Sequence, residues 1–166
     1  MSAFWSYFWP ALGCGLLFGV IAGAFGFRPR ARRTLFMVCG GVAAVAAAAL
    51  WHGPLGAADR FTAEVQRTAR QTLDYYEMTQ VQANLHHGPL TRRLVLSGPA
   101  DDFQSSELVR IMSELPGVSI ATWSNKESGV PLIVEGAAMA MLGFLIGLLL
   151  AYLVELRRRY NAQWNW

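Results

Sequence analysis

Residues 135–160 read "EGAAMAMLGFLIGLLLAYLVELRRRY". No charged side chain lies between Glu135 and Glu155, and three arginines follow almost at once. An uncharged apolar run of about 20 residues is the length that crosses the hydrocarbon core of a bilayer as a helix. Two further stretches, 1–27 and 34–58, also lack any charge, whereas 59–127 holds sixteen of the chain's twenty-five charged residues. The pattern predicts three transmembrane helices, at 5–27, 34–52 and 132–155, with one soluble insert. The expected organisation is therefore two spans within 1–55, an insert at 56–130, and a third span with its tail in 131–166.

Arginine placement gives an expected orientation. Arg28, Arg30, Arg32 and Arg33 fill the loop 28–33 between the first two spans, and Arg157, Arg158 and Arg159 follow the third. Short flanking segments rich in Arg mark the cytoplasmic side. The loop and the C-terminus then lie inside, and the N-terminus and the insert lie outside. The apolar run at the N-terminus lacks the basic residues that open a signal peptide, so it reads as a span. Thirteen arginines to one lysine, with heavy use of Ala and Gly, suggest a bacterial inner membrane facing a periplasm.

A sequence pI of about 9.2 does not imply nucleic acid. The insert from 53 to 131 carries seven cations against nine acids, a net charge of −2, and so offers no basic track for a phosphate backbone. The bilayer is the first expected partner.

The first span contains "ALGCGLLFGVIAGAFG" (11–26), with Gly15, Gly19 and Gly23 on one face. Gly136, Ala140, Gly143 and Gly147 repeat that device in the third. Small residues at such spacing let helix backbones approach closely where lipid supplies no hydrophobic driving force. These stripes serve either packing within the chain or contact with other integral membrane subunits. The second span, "CGGVAAVAAAAL" (39–50), is small nearly all round. Trp5, Tyr7, Phe8 and Trp9 at one end, with Tyr160, Trp164 and Trp166 at the other, are expected as interfacial aromatic belts. Glu135 and Glu155 fall at span ends, where hydration is accessible. Cys14 and Cys39 lie inside spans and read as small helix-packing residues.

In the insert, Phe61, Val65, Ala69, Thr72 and Tyr76 predict an amphipathic helix capped by Asp59. Val81, Ala83 and Leu85 alternate, "HHGP" (86–89) supplies a turn, and Leu94 and Leu96 alternate again, predicting a hairpin. Asp101 with Gln104 has capping-box spacing. It opens a helix with Phe103, Leu108, Ile111, Met112 and Leu115 on one face. Val118, Ile120 and Thr122 predict a last strand. The expected insert is a small α+β domain, ordered α-β-β-α-β, with one three-stranded sheet and two helices on one face.

That order, with "LVLSG" at 94–98 and "LPGVSIATW" at 115–123, resembles the BON domain, a module of bacterial envelope proteins. The resemblance covers roughly 58–125, and Gly98 stands where that family keeps a glycine after its second strand. It implies a periplasmic module associated with phospholipid binding or envelope integrity. Unlike many BON proteins, this chain has one copy of the pattern and no peptidoglycan-binding domain beside it.

Arg60, Arg67 and Arg70 on the polar side of the first insert helix are the candidates for contact with anionic phospholipid or a partner. Glu64 and Asp74 interleave with them and partly neutralise that face. Arg92 and Arg93 are adjacent in a strand and should point to opposite faces. Catalytic and metal chemistry find little footing. His86 and His87 are neighbours at a turn with no third ligand beside them. Ser97, Ser105, Ser106 and Ser113 form no triad pattern, and Asp101-Asp102 reads as helix capping. No phosphate-binding glycine loop follows a strand, and no histidine lies mid-span to hold haem or chlorophyll. The expectation is a non-enzyme with no cofactor and no metal.

Overall fold

The computed structural model describes residues 3–28, 32–124 and 129–164, with 163 and 164 described by backbone alone. Among these residues five helices and three strands follow in the order α1 (Ala3–Gly26), α2 (Arg33–His52), α3 (Ala57–Tyr75), β1 (Gln82–His87), β2 (Leu90–Ser97), α4 (Asp102–Ser113), β3 (Ile120–Thr122) and α5 (Leu132–Trp164). The chain separates into two compact units. One contains residues 1–7 and 56–135, the other 8–55 and 136–166.

In the helical unit, α1, α2 and α5 are each long and apolar enough to cross a membrane. The sequence boundaries for the first two hold within two residues. The third helix runs past its expected end at 155 to Trp164. Glu155 explains the extension. Its carboxylate pairs with Arg159 at 2.9 Å and Arg158 at 3.5 Å, one turn further on. Such i,i+3 and i,i+4 pairs favour continued helix after the apolar run ends. The Phe144 side chain is buried in a small core with Ala22 and Ala44, flanked by Phe18 and Leu148.

In the α/β unit, β2 is the central strand of a three-stranded mixed sheet. It pairs antiparallel with β1 and parallel with β3. A parallel pair needs a crossover connection, and α4 supplies it. Cross-strand partners share a sheet face, so the pairs Leu85–Leu94 and Leu94–Ala121 align three buried side chains. Helix α3 packs on β1 and α4 on β3. They bury Phe61, Val65, Ala69 and Leu73, and Leu108 and Met112 respectively. Each fully buried Leu or Phe of this core contributes about 1.5–3 kcal/mol.

The core differs from its sequence expectation at particular positions. Helix α3 starts at Ala57 after a left-handed Gly56, so Asp59 falls in its first turn and is not the cap. There its charge complements the helix dipole. Leu73 continues the buried row of 61, 65 and 69, displacing Thr72 and Tyr76. The Thr72 hydroxyl bonds the Thr68 carbonyl, and Tyr76 is half-exposed beyond the helix end. Phe103 is 76% exposed, off the buried face of α4. The predicted capping box is formed, with Gln104 N–H donating to Asp101 at 2.6 Å and Asp101 N–H to Gln104 at 3.3 Å. Gly98 ends β2 at φ +136, where a Cβ would fall 2.6 Å from the Gln80 carbonyl oxygen. Only glycine fits that position.

Candidate interaction surfaces

The glycine stripes of α1 and α5 face each other. A Cβ placed on Gly15 would collide with the Ala140 carbonyl, and one on Gly19 with the Phe144 carbonyl. Reciprocally, Gly143 faces the Leu12 carbonyl and Gly147 the Leu16 carbonyl, while Gly23 lies against Ala151. Gly136 is also buried. The two backbones are thus in contact over residues 12–20 of α1 and 140–147 of α5, about two turns of each helix, so these glycines serve packing within the chain. Of the two uses the stripes allowed, the internal one occupies them.

Helix α2 sits differently. Gly40 nests against Ala22 and Phe144, and Ala44 and Ala48 are buried. The opposite side carries Leu35, Cys39, Val42, Ala46 and Ala49, all exposed. Their spacing of four, three, four and three residues draws one continuous stripe along the helix. Helix α2 thus exposes small residues among large ones such as Val38, Val42 and Leu50, whereas the exposed apolar positions of α5 are large, including Leu142, Leu145, Leu149 and Leu153. Large apolar side chains suit lipid, whereas small ones at heptad spacing suit another helix.

Both arginine clusters come together at one end of the helical unit. Arg159 donates to the Phe27 carbonyl at 3.0 Å and to Glu155 at 2.9 Å. Arg28 and Arg33 lie over the rings of Phe25 and Phe27, at 5.2 and 5.1 Å. A cleft of about 470 Å³ opens there, lined by Arg28, Arg33, Glu155 and Arg159 together with Phe27 and Tyr152. Arg30 lies outside the described residues, and Arg157 does not line the cleft.

In the α/β unit the three candidate arginines do not act together. Arg70 bonds the Val81 and Thr79 carbonyls and pairs with Asp74 at 3.1 Å, which fixes it to its own fold. Arg60 Nε donates to the Gly56 carbonyl. Arg67 is exposed with no hydrogen bond or ion pair among the described residues. Arg92 and Arg93 diverge: Arg92 reaches Gly117 O and Glu135, and buried Arg93 reaches Ser124 O.

The first turn of α1 and the first turn of α5 belong to this unit, which the charge pattern did not indicate. Tyr7 is buried with its ring 5.7 Å from Phe61 and its hydroxyl donating to Leu132 O. Phe4 lies under the Arg92 guanidinium at 5.0 Å. Glu135 pairs with Arg92 at 3.0 Å, both side chains about one-quarter exposed or less. Of the four N-terminal aromatics expected in an interfacial belt, Tyr7 and Phe8 are buried in protein, and Trp5 and Trp9 are exposed. The ion pair was foreshadowed by an acid at a span end, but its partner is 43 residues away and invisible to local pattern.

Among the described residues no cluster of three metal-donor side chains occurs. His86 and His87 are successive in β1, and His86 Nδ1 lies 3.2 Å from the Pro89 carbonyl. Ser105, Ser106 and Ser113 bond carbonyls of their own helix. Asp101 is engaged as a cap. Neither a protein-family model, nor a curated protein, nor a solved structure matches this chain.

Proposed function

We propose that the chain is a bacterial inner-membrane protein that acts without catalysis, as an accessory subunit of a larger membrane assembly. Helices α1, α2 and α5 cross the bilayer. The arginine-lined end faces the cytoplasm, and the 56–130 module and the start of α1 face the periplasm. The small residues Cys39, Ala46 and Ala49 on the outward stripe of α2 carry this reading, because the glycines of α1 and α5 are already used on each other. A lipid-facing helix gains nothing from Cys39, Ala46 and Ala49, whereas a neighbouring helix gains close approach. The occupant is an apolar transmembrane helix of another polypeptide.

The test is purification of the tagged, full-length protein from its native membranes in mild detergent, with the mass of the intact complex measured. The expected result is a fixed ratio to another integral membrane polypeptide, lost in an Ala46→Leu/Ala49→Leu variant that still folds. Recovery alone, or only with copies of itself, would overturn the subunit reading.

The BON resemblance supports a second reading, an envelope module that binds phospholipid or cell-wall material. Exposed Arg67 is a cation on α3 suited to it, whereas Arg70 is engaged by Asp74 and backbone carbonyls. Retention of the full-length protein on peptidoglycan, reduced by Arg67→Gln, would favour it over the first.

A further inference from the structure

The cleft at the arginine-rich end of the helical unit does not stand alone. A second cleft of about 250 Å³ shares Phe27, Arg28 and Glu155 with it and runs between α1 and α5. Its walls are mostly apolar: Val20, Ala24, Leu150 and Val154, with Arg158 at the rim. The basic cleft, at about 470 Å³, lies within the range of about 300–1,000 Å³ typical of small-molecule sites. Together the two offer charge at one end and hydrocarbon contact along the other.

Four arginines and one glutamate line the pair of clefts, a net charge of +3. Glu155 is already engaged by Arg158 and Arg159 and so presents little free negative charge. Arg28 and Arg33 make no hydrogen bond or ion pair among the described residues, and each guanidinium lies over an aromatic ring. A ring contact leaves the N–H edge of a guanidinium available, and that edge matches a phosphate in fork geometry. The first turn of α2 begins at Arg33, and no side chain caps it. Its unsatisfied N–H groups add positive potential beside the same cleft.

We infer that these joined clefts bind an anionic phospholipid, its phosphate held by Arg28, Arg33 and Arg159 and an acyl chain lying along the groove between α1 and α5. The apolar groove is what selects a lipid over a free phosphate. The inference rests on the membrane reading above, since it needs the arginine end at a bilayer surface. It concerns the helical unit and is independent of the BON resemblance, which covers only the insert. Basic clefts between membrane helices at the cytoplasmic face are a recurrent way of holding anionic headgroups.

The experiment uses full-length protein, wild type and an Arg28→Gln/Arg33→Gln variant, with Arg157→Gln as a charge control outside both clefts. Protein is first mixed with phosphatidylcholine vesicles and floated. Failure to float would refute the membrane reading itself. Floating protein is then delipidated in detergent, and binding of phosphatidylglycerol and of phosphatidylcholine is followed by intact-complex mass spectrometry. The expected result is one retained phosphatidylglycerol per chain and at least tenfold preference over phosphatidylcholine. The preference should fall about tenfold in the double variant and persist in Arg157→Gln. Should the double variant not fold, the wild-type preference and its competition by inorganic phosphate decide the matter. Equal retention of the two lipids, an equal loss in Arg157→Gln, or full displacement by millimolar inorganic phosphate would each overturn the lipid assignment.

Discussion

Single residues fix the α/β unit where local pattern says little. Glu135 opens the uncharged run that marks α5, yet its carboxylate is the partner of Arg92, with Arg92 also bonded to Gly117 O and lying over Phe4. One carboxylate thus joins the start of a helix to the central strand. Glu135→Gln removes the charge and leaves a partly buried guanidinium poorly compensated, a loss of about 1–3 kcal/mol. The thermal midpoint of the detergent-solubilised protein should fall by several degrees, and Glu114→Gln, on an exposed carboxylate, should leave it within error. An unchanged midpoint in Glu135→Gln would show that the pair contributes nothing to stability. The place of Glu135 at the end of an apolar run is legible in the sequence, whereas its partner is not. The 43-residue separation from Arg92 is set by the sheet, and no periodicity encodes it.

At the scale of elements, helix identity was legible and helix partnership was not. Absence of charge located α1, α2 and α5 because length and apolarity are properties of each segment alone. Capping-box spacing located α4 for the same reason, since Asp101 and Gln104 act within one turn. The face that each glycine stripe presents depends on another helix, and both partners were left open. The structure sets Gly15, Gly19, Gly143 and Gly147 against the opposing backbone, so even one methyl group must force α1 and α5 apart. Gly143→Ala is expected to cost about 1–3 kcal/mol, as overpacking does. Gly13→Ala, with no atom within 4 Å of its added carbon, should be close to neutral. Unfolding in mixed detergent distinguishes the two; equal midpoints would contradict the close α1–α5 contact. The outward side of α2, and not the glycine stripes, is therefore the face to alter in the search for a partner subunit. The aromatic cluster of α1 divides similarly. Trp5 and Trp9 are exposed, while Tyr7 belongs to the core around Phe61. Composition alone cannot separate those roles, because an aromatic ring suits either environment.

The whole molecule joins a helical unit, its arginines gathered at one end, to an α/β unit that includes the first residues of α1 and of α5. An excised 56–130 fragment would lack Phe4, Tyr7, Leu132 and Glu135, so experiments on the module are best made on the full chain. The central claim is that three helices cross a bilayer with the arginine end inside and the module outside. Cysteine labelling in intact cells tests it most directly, in a background with Cys14 and Cys39 replaced by Ser. One single-site variant is Ser106→Cys, on α4, and the other is Asn161→Cys, beyond the arginines of α5. With a membrane-impermeant maleimide, Ser106→Cys is expected to label in intact cells, and Asn161→Cys only after the inner membrane is permeabilised. Labelling of Asn161→Cys but not Ser106→Cys in intact cells would invert the orientation, and labelling of both would contradict an odd number of crossings between them.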